Sequence, residues 1–273
     1  MRDPSFITLQ SPAVRLFTAD IGKLSREKHT IRALVEVDLT DSLEKIRLLR
    51  KSGEKVSFLA WFIKVLADTV TDHPPVNGIQ KGRRSLHVFK NIHVSTVVEK
   101  TVNGEAVPLP MVVREANHKT PIQISAELQK AVDQSVEGQG SPTLDNGAND
   151  ILTRLGLIMP QWLRVFVLRT FILANPQRMQ AIMGTVMVTS LGTLGRQSAW
   201  ILPTSIHPLS VGIGTLTKKP TLVQGQIIPR QILHLTITLD HDVIDGMPAR
   251  RFVDDLVTRL TRGDLLVSKT KFS

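Results

Sequence analysis

The chain has 273 residues, with 34 Lys+Arg against 24 Asp+Glu, 42% hydrophobic residues and no cysteine. A chain of this length buries roughly 70 to 75% of the surface its unfolded form exposes, enough for one large domain or two small ones. The missing cysteines exclude disulfides, thiolate zinc sites, iron–sulfur clusters and a cysteine nucleophile. The net charge of +10 invites a nucleic-acid reading. The basic residues are scattered in small sets, however, and aromatics are 4% with no tyrosine, so no nucleic-acid partner is expected. The opening Met-Arg-Asp-Pro-Ser lacks the basic, apolar and small-residue succession of an export signal, and a cytoplasmic location is expected.

Strand composition marks residues 35–39. Leu43, Ile46 and Leu49 share one face of a helix predicted over 41–52 and stopped by Gly53. Ser57 caps a helix over 57–72, in which Phe58, Phe62, Val65 and Leu66 follow helical spacing up to His73-Pro74-Pro75. A strand at 91–99 precedes a helix capped by Thr120, with Pro121 in its first turn and an apolar stripe of Ile124, Leu128, Ala131 and Val132. Residues 136–150 read as an exposed connection.

The apolar stretch 151–174 is interrupted by Pro160, Arg164 and Arg169, which are costly at a bilayer centre. It is therefore read as packed within the protein or its oligomer, as a partner surface or as a membrane-surface helix, with no spanning segment. Strands follow at 185–190 and 209–217, where Gly212 and Gly214 predict a close backbone approach. Leu233, Leu235, Ile237 and Leu239 then alternate with His234, Thr236, Thr238 and Asp240, which predicts a half-buried strand. A helix with Phe252, Val253, Leu256 and Leu260 inward comes next, then a loose tail at 264–273. The mixture is an α/β fold, a sheet covered by amphipathic helices.

His241 falls where the alternating strand turns into the last helix, a place where a rigid scaffold holds a side chain within reach of a ligand. Histidine suits general-base work near neutral pH. Asp245 and Gly246 would shape the turn. On the residues alone, a histidine in a polar turn with an aspartate nearby is more often structural than catalytic. The histidines at 29, 73, 87, 93, 118, 207 and 234 show no metal-ligand spacing, so no metal is expected, and both GxSxG and the Walker phosphate loop are absent.

The stretch LTITLDHDVIDGMPARRFVDDL resembles the HxxxDG segment of the catalytic domain of 2-oxo acid dehydrogenase dihydrolipoamide acyltransferases, a family that shares its fold with chloramphenicol acetyltransferase. KVSFLAWFIKVLADTVTDHPPVN, VTSLGTLG, PTSIHPLSVGIG and KKPTLVQGQIIPRQILHLTITLDH resemble further family segments in order and spacing, over most of the chain. The resemblance implies a chloramphenicol acetyltransferase-like two-layer sandwich, read here as a single catalytic domain over 1–273 with an extended insert at about 136–180.

It also implies CoA-dependent acyl transfer to a dihydrolipoyl or other thiol acceptor, with coenzyme A or acyl-CoA as substrate. His241 would be the general base, Thr189 the oxyanion donor and Asp245 the organiser of the turn. CoA-binding residues are not assigned. The alternatives are an acceptor with a hydroxyl or amine, and a non-catalytic trimeric scaffold. A strand-end threonine and a helix-capping aspartate remain the plain readings of Thr189 and Asp245.

The implied partners are a second and third copy of the chain, a lipoyl carrier acting in trans, since no lipoyl domain precedes residue 1, and subunits of a dehydrogenase complex. Two departures from the family pattern stand out. Asp242 occupies a position that is usually arginine, and the region between the Thr120 helix and Val188 is about 25 residues longer than usual, well beyond an ordinary connection.

Overall fold

A computed structural model describes residues 7, 15–82, 84–102, 105–133, 158–190 and 197–266. The predicted connection at 136–150 and most of the predicted tail lie outside these residues. In chain order the elements are α1 (Arg15–Ser25), β1 (Thr30–Asp38), α2 (Thr40–Lys51), α3 (Phe58–Asp72), β2 (Gly78–Lys81), β3 (Ser85–Val88), β4 (Val94–Val102) and β5 (Glu105–Val113). There follow α4 (Pro121–Asp133), α5 (Gln161–Val167) with a π-helical turn (Leu168–Leu173), α6 (Pro176–Met183), β6 (Val186–Ser190), β7 (Leu209–Val223), β8 (Gln226–Asp240) and α7 (Gly246–Arg262).

Local chemistry sets the helix starts. The Ser57 side chain accepts from the Ala60 N–H at 3.1 Å, and Thr120 and Gln123 exchange reciprocal side-chain and backbone bonds of 3.2 and 2.8 Å, a capping box. Gly53, with φ at 91°, follows α2 as the sequence predicts.

Six strands form one mixed sheet in the order β1-β8-β7-β6-β4-β5, and β2 pairs with β3 in a small hairpin. β4, β6 and β7 run parallel, and the remaining neighbours are antiparallel. On one face Val186, Val188, Leu209, Val211, Leu235, Ile237 and Leu239 pack with Trp61, Phe62, Leu66, Phe252 and Leu256 from α3 and α7, all buried. Residues opposite one another in register share a face, so Met187, Thr189, Ser210, Gly212, Thr236 and Thr238 line the other.

That second face departs from expectation. The half-buried strand predicted at 233–240 is buried on both sides, His234 and Thr236 completely. The cause is the segment after residue 197, which crosses the sheet so closely that a Cβ on Gly212 or Gly214 would sit 2.4 or 2.2 Å from the carbonyl oxygens of Ile201 and Ala199. The close approach predicted at these two glycines is thus the means by which polar strand residues are covered. His234 stacks edge-on against Trp200 at 4.5 Å, and its Nδ1 lies 2.8 Å from the Thr215 carbonyl.

Candidate active site

His241 follows β8 directly. Its backbone N–H donates to the His29 carbonyl at 2.7 Å, which extends the β1–β8 ladder by one step and fixes the residue at the sheet end. The side chain is exposed. Ion pairs surround the turn. Lys28 pairs with Asp240, while Asp242, the residue standing in place of the usual arginine, accepts from His29 Nδ1 at 3.0 Å and donates its backbone N–H to Asp240 Oδ1 at 3.2 Å. Asp242 is therefore hydrogen-bonded within its own chain, to the His29 ring and to Asp240.

Asp245 occupies the N-cap of α7 in extended conformation, yet its carboxylate makes no cap hydrogen bond. The turn is backed instead by the His73-Pro-Pro-Val-Asn segment. His73 lies 3.1 Å from Asp255 on α7 and meets the Phe252 ring edge-on at 5.8 Å. Burial raises the Asp255 carboxyl, but hydrogen bonds from Arg259 and His73 outweigh it and hold that group below the ordinary carboxylate range. Gly78 is closely packed against the turn, because a Cβ there would lie 3.1 Å from Val243, two residues past His241, and 3.1 Å from the Pro75 carbonyl oxygen. Asn77 is fully buried, with neither side-chain polar atom partnered among the described residues.

Thr189 is half-buried on the polar face of β6, while Ser190 belongs to the opposite face, level with Ile213. The register shows that Thr189 and His241 do not meet in one chain. Thr189 is level with Gly212 and, through it, with Thr236; His241 lies five residues further along β8 and two strands across. At about 3.4 Å per residue and 4.8 Å per strand, the separation is on the order of 20 Å.

His207 was no more than one of the scattered histidines in the sequence, yet it is sealed beside this end of the sheet. Its Nε2 lies 2.9 Å from the Met183 carbonyl and its Nδ1 2.7 Å from Ser205 Oγ, so the neutral ring donates to the former and accepts from the latter. Burial opposes protonation, the Met183 carbonyl favours it and Lys28 again opposes it, so that the pKa is pushed down to about 4. The unfolded histidine takes a proton near pH 6.5 and the folded one does not. The resulting stabilisation is full above pH 6.5 and is lost as pH falls toward 4, about 2 kcal/mol of it between 6.5 and 5. Urea unfolding of His207→Gln is expected to show a shallower loss of stability between pH 7 and 5 than the parent chain; parallel slopes would reject this account.

Among the described residues no group of three or more His, Asp or Glu is placed to hold a metal ion, and no helix is long and apolar enough to cross a membrane. Residues 22–158 and 174–267 match the family described as 2-oxoacid dehydrogenases acyltransferase (catalytic domain). The chain belongs to this family. Residues 159–173, the heart of the apolar stretch, fall outside the match.

Curated relatives of this acyltransferase-family chain include the dihydrolipoyllysine-residue acetyltransferase component of the pyruvate dehydrogenase complex of Mycoplasma capricolum subsp. capricolum, 25% identical over 258 residues that cover 91% of this chain and 49% of the relative. The protein of the same description from Staphylococcus aureus (strain Mu50) is 23% identical over 269 residues, 95% of this chain and 53% of its own. The chain thus spans about half the length of the curated relatives it matches. Among solved structures, a probable dihydrolipoamide acetyltransferase from Listeria monocytogenes superposes with a TM-score of 0.66 at 18% identity over 98% of both chains. The cubic core of the pyruvate dehydrogenase multienzyme complex gives 0.65 at 17% identity over 96% of both. These two likenesses show that the fold is shared.

Proposed function

We propose that this chain is a CoA-dependent acyltransferase whose active site forms between two copies, His241 from one and Thr189 from the next. The observation that carries the reading is an exposed histidine whose backbone is fixed at the sheet end by its bond to His29, in a family whose description is acyl transfer. The order of 20 Å between His241 and Thr189 within one chain supports the second copy. A thiol is mostly protonated at neutral pH, so a base in contact with it raises the reactive fraction. His241 takes the proton from the acceptor thiol, and the thiolate attacks the thioester carbonyl of acyl-CoA. The oxyanion of the tetrahedral intermediate accepts a hydrogen bond from Thr189 Oγ of the neighbouring copy. The intermediate collapses, the carbon–sulfur bond to CoA breaks, and the CoA thiolate recovers the proton from His241.

Asp245, whose carboxylate makes no cap hydrogen bond, is assigned as the organiser of the His241 turn. A dihydrolipoyl group on a separate carrier is the proposed acceptor, and a homotrimer, or a larger assembly of trimers with dehydrogenase-complex subunits in the cytoplasm, is the proposed setting. The resemblance of the HxxxDG segment and the descriptions of the relatives support both.

Transfer from acetyl-CoA to dihydrolipoamide, followed by chromatographic separation of S-acetyldihydrolipoamide and free CoA, tests the reading. Wild-type protein is expected to transfer the acyl group and His241→Ala to lose at least a hundredfold in kcat. Equal rates in the two proteins would remove His241 from the mechanism. Transfer to a hydroxyl or amine acceptor with none to dihydrolipoamide would remove the lipoyl acceptor.

A further inference from the structure

The 15 residues 159–173 that the family match leaves out are firmly held. Arg164 is buried against Asp20 of α1, with Nε 2.7 Å from Oδ2 and a second nitrogen 3.1 Å from Oδ1; Arg169 pairs with Glu27 in the turn that follows the same helix. Val165 packs with Leu24 and Ile206 in a small core of its own, separate from the main one. The insertion is therefore fastened to α1, with Trp162, Phe166 and Phe171 exposed on its outer side.

Its inner end closes a cleft of about 250 Å3 against the His241 turn. Leu173 from the insertion, Leu24 from α1, Ile206 from the crossing segment and Val243 from the turn supply an apolar lining. Asp240 and Asp242, the chain neighbours of His241, also line it while His241 itself does not, so a group seated there lies against the turn that carries the proposed base. Its charged members are Glu27, Lys28, Arg169, Asp240 and Asp242, three acids against two cations, and both cations are already paired, Lys28 with Asp240 and Arg169 with Glu27. A carboxylate entering this cleft would lose water and meet no free cation. An uncharged hydrocarbon chain would meet Leu24, Leu173, Ile206 and Val243.

We propose, on the acyltransferase reading above, that the insertion walls an acyl-selecting cleft, which admits an uncharged apolar acyl group and excludes a dicarboxylic one, with Leu173 and the Arg169–Glu27 pair as its specificity-determining residues.

The experiment compares acetyl-, isobutyryl- and succinyl-CoA, as kcat/KM for transfer and, without acceptor, as calorimetric affinity. The wild type is expected to favour isobutyryl- over succinyl-CoA by tenfold or more. Leu173→Trp, which fills the cleft, should lower the isobutyryl-to-acetyl ratio about tenfold, the size of effect a few carbon atoms give in an apolar pocket. Glu27→Gln frees Arg169 and should raise the succinyl-to-isobutyryl ratio several-fold; being a change at the exposed rim, it also serves if Leu173→Trp does not fold. Trp162→Ser, on the outer side, should change neither ratio.

Ratios within twofold of wild type in both cleft variants, or a wild type that takes succinyl-CoA as readily as isobutyryl-CoA, would overturn the proposal. Affinities that show the predicted preference and its loss in the variants, in a protein that transfers nothing, would uphold the cleft and reject the acyltransferase reading.

Discussion

Co-assembly of equal amounts of His241→Ala and Thr189→Ala chains is expected to restore about one quarter of wild-type acyl transfer, although each variant alone is nearly inactive. The number follows from cyclic symmetry. If each site takes its base from one copy and its oxyanion donor from the next, random mixing leaves both intact at about one interface in four. Losing His241 removes the base, and losing Thr189 removes a donor whose absence costs about a hundredfold or more. The structural ground is the register: Thr189 stands level with Gly212 and Thr236, five residues along β8 and two strands across from His241. A site within one chain would give no recovery on mixing. Separately expressed variants, unfolded and refolded together, provide the mixed assemblies, and the same proteins refolded apart provide the baseline.

The largest stability effect is expected at Asp20. This carboxylate is 2% exposed and its partner Arg164 8% exposed, joined by two hydrogen bonds across 144 residues of sequence. Asp20→Ala leaves a buried guanidinium with no counter-charge and should cost about 3–5 kcal/mol. Removing both charges is a different change, because the desolvation penalty disappears with them. Asp20→Ala combined with Arg164→Met should recover most of the loss. Urea unfolding of the two variants checks this, and a single variant within about 1 kcal/mol of wild type would show that Arg164 finds water or another acceptor when Asp20 is gone. Because α1 and the insertion share this bond, the single variant is also expected to loosen the cleft beside His241.

Segments whose signals are local were legible in the sequence. The Ser57 cap with its helical apolar stripe, the Thr120 cap and the alternation of β8 each report one element through its own residues. The same holds for His241, which alternation places at a strand end. What escaped depends on partners distant in sequence. β5 contains Pro108 and Pro110, which argue against a strand; its place at the sheet edge, paired only with β4, is what permits them. Arg164 and Arg169 read as interruptions of an apolar run until Asp20 and Glu27 are brought to them. Asp242 reads as a reversal of charge until β1 pairs with β8 and delivers His29. The alternation of β8 correctly gave the two faces, but only the crossing segment over Gly212 and Gly214 decides that the polar one is buried. The separation of Thr189 from His241 is likewise a property of strand order, which no local pattern carries.

The most direct test of an active site shared between copies is specific activity for acetyl transfer to dihydrolipoamide, measured across a dilution series alongside the mass of the protein in solution. The account predicts activity that tracks the oligomer and vanishes with it, with His241→Ala inactive at every concentration. A fully active monomer, or an intact oligomer that transfers nothing from any acyl-CoA, would contradict it.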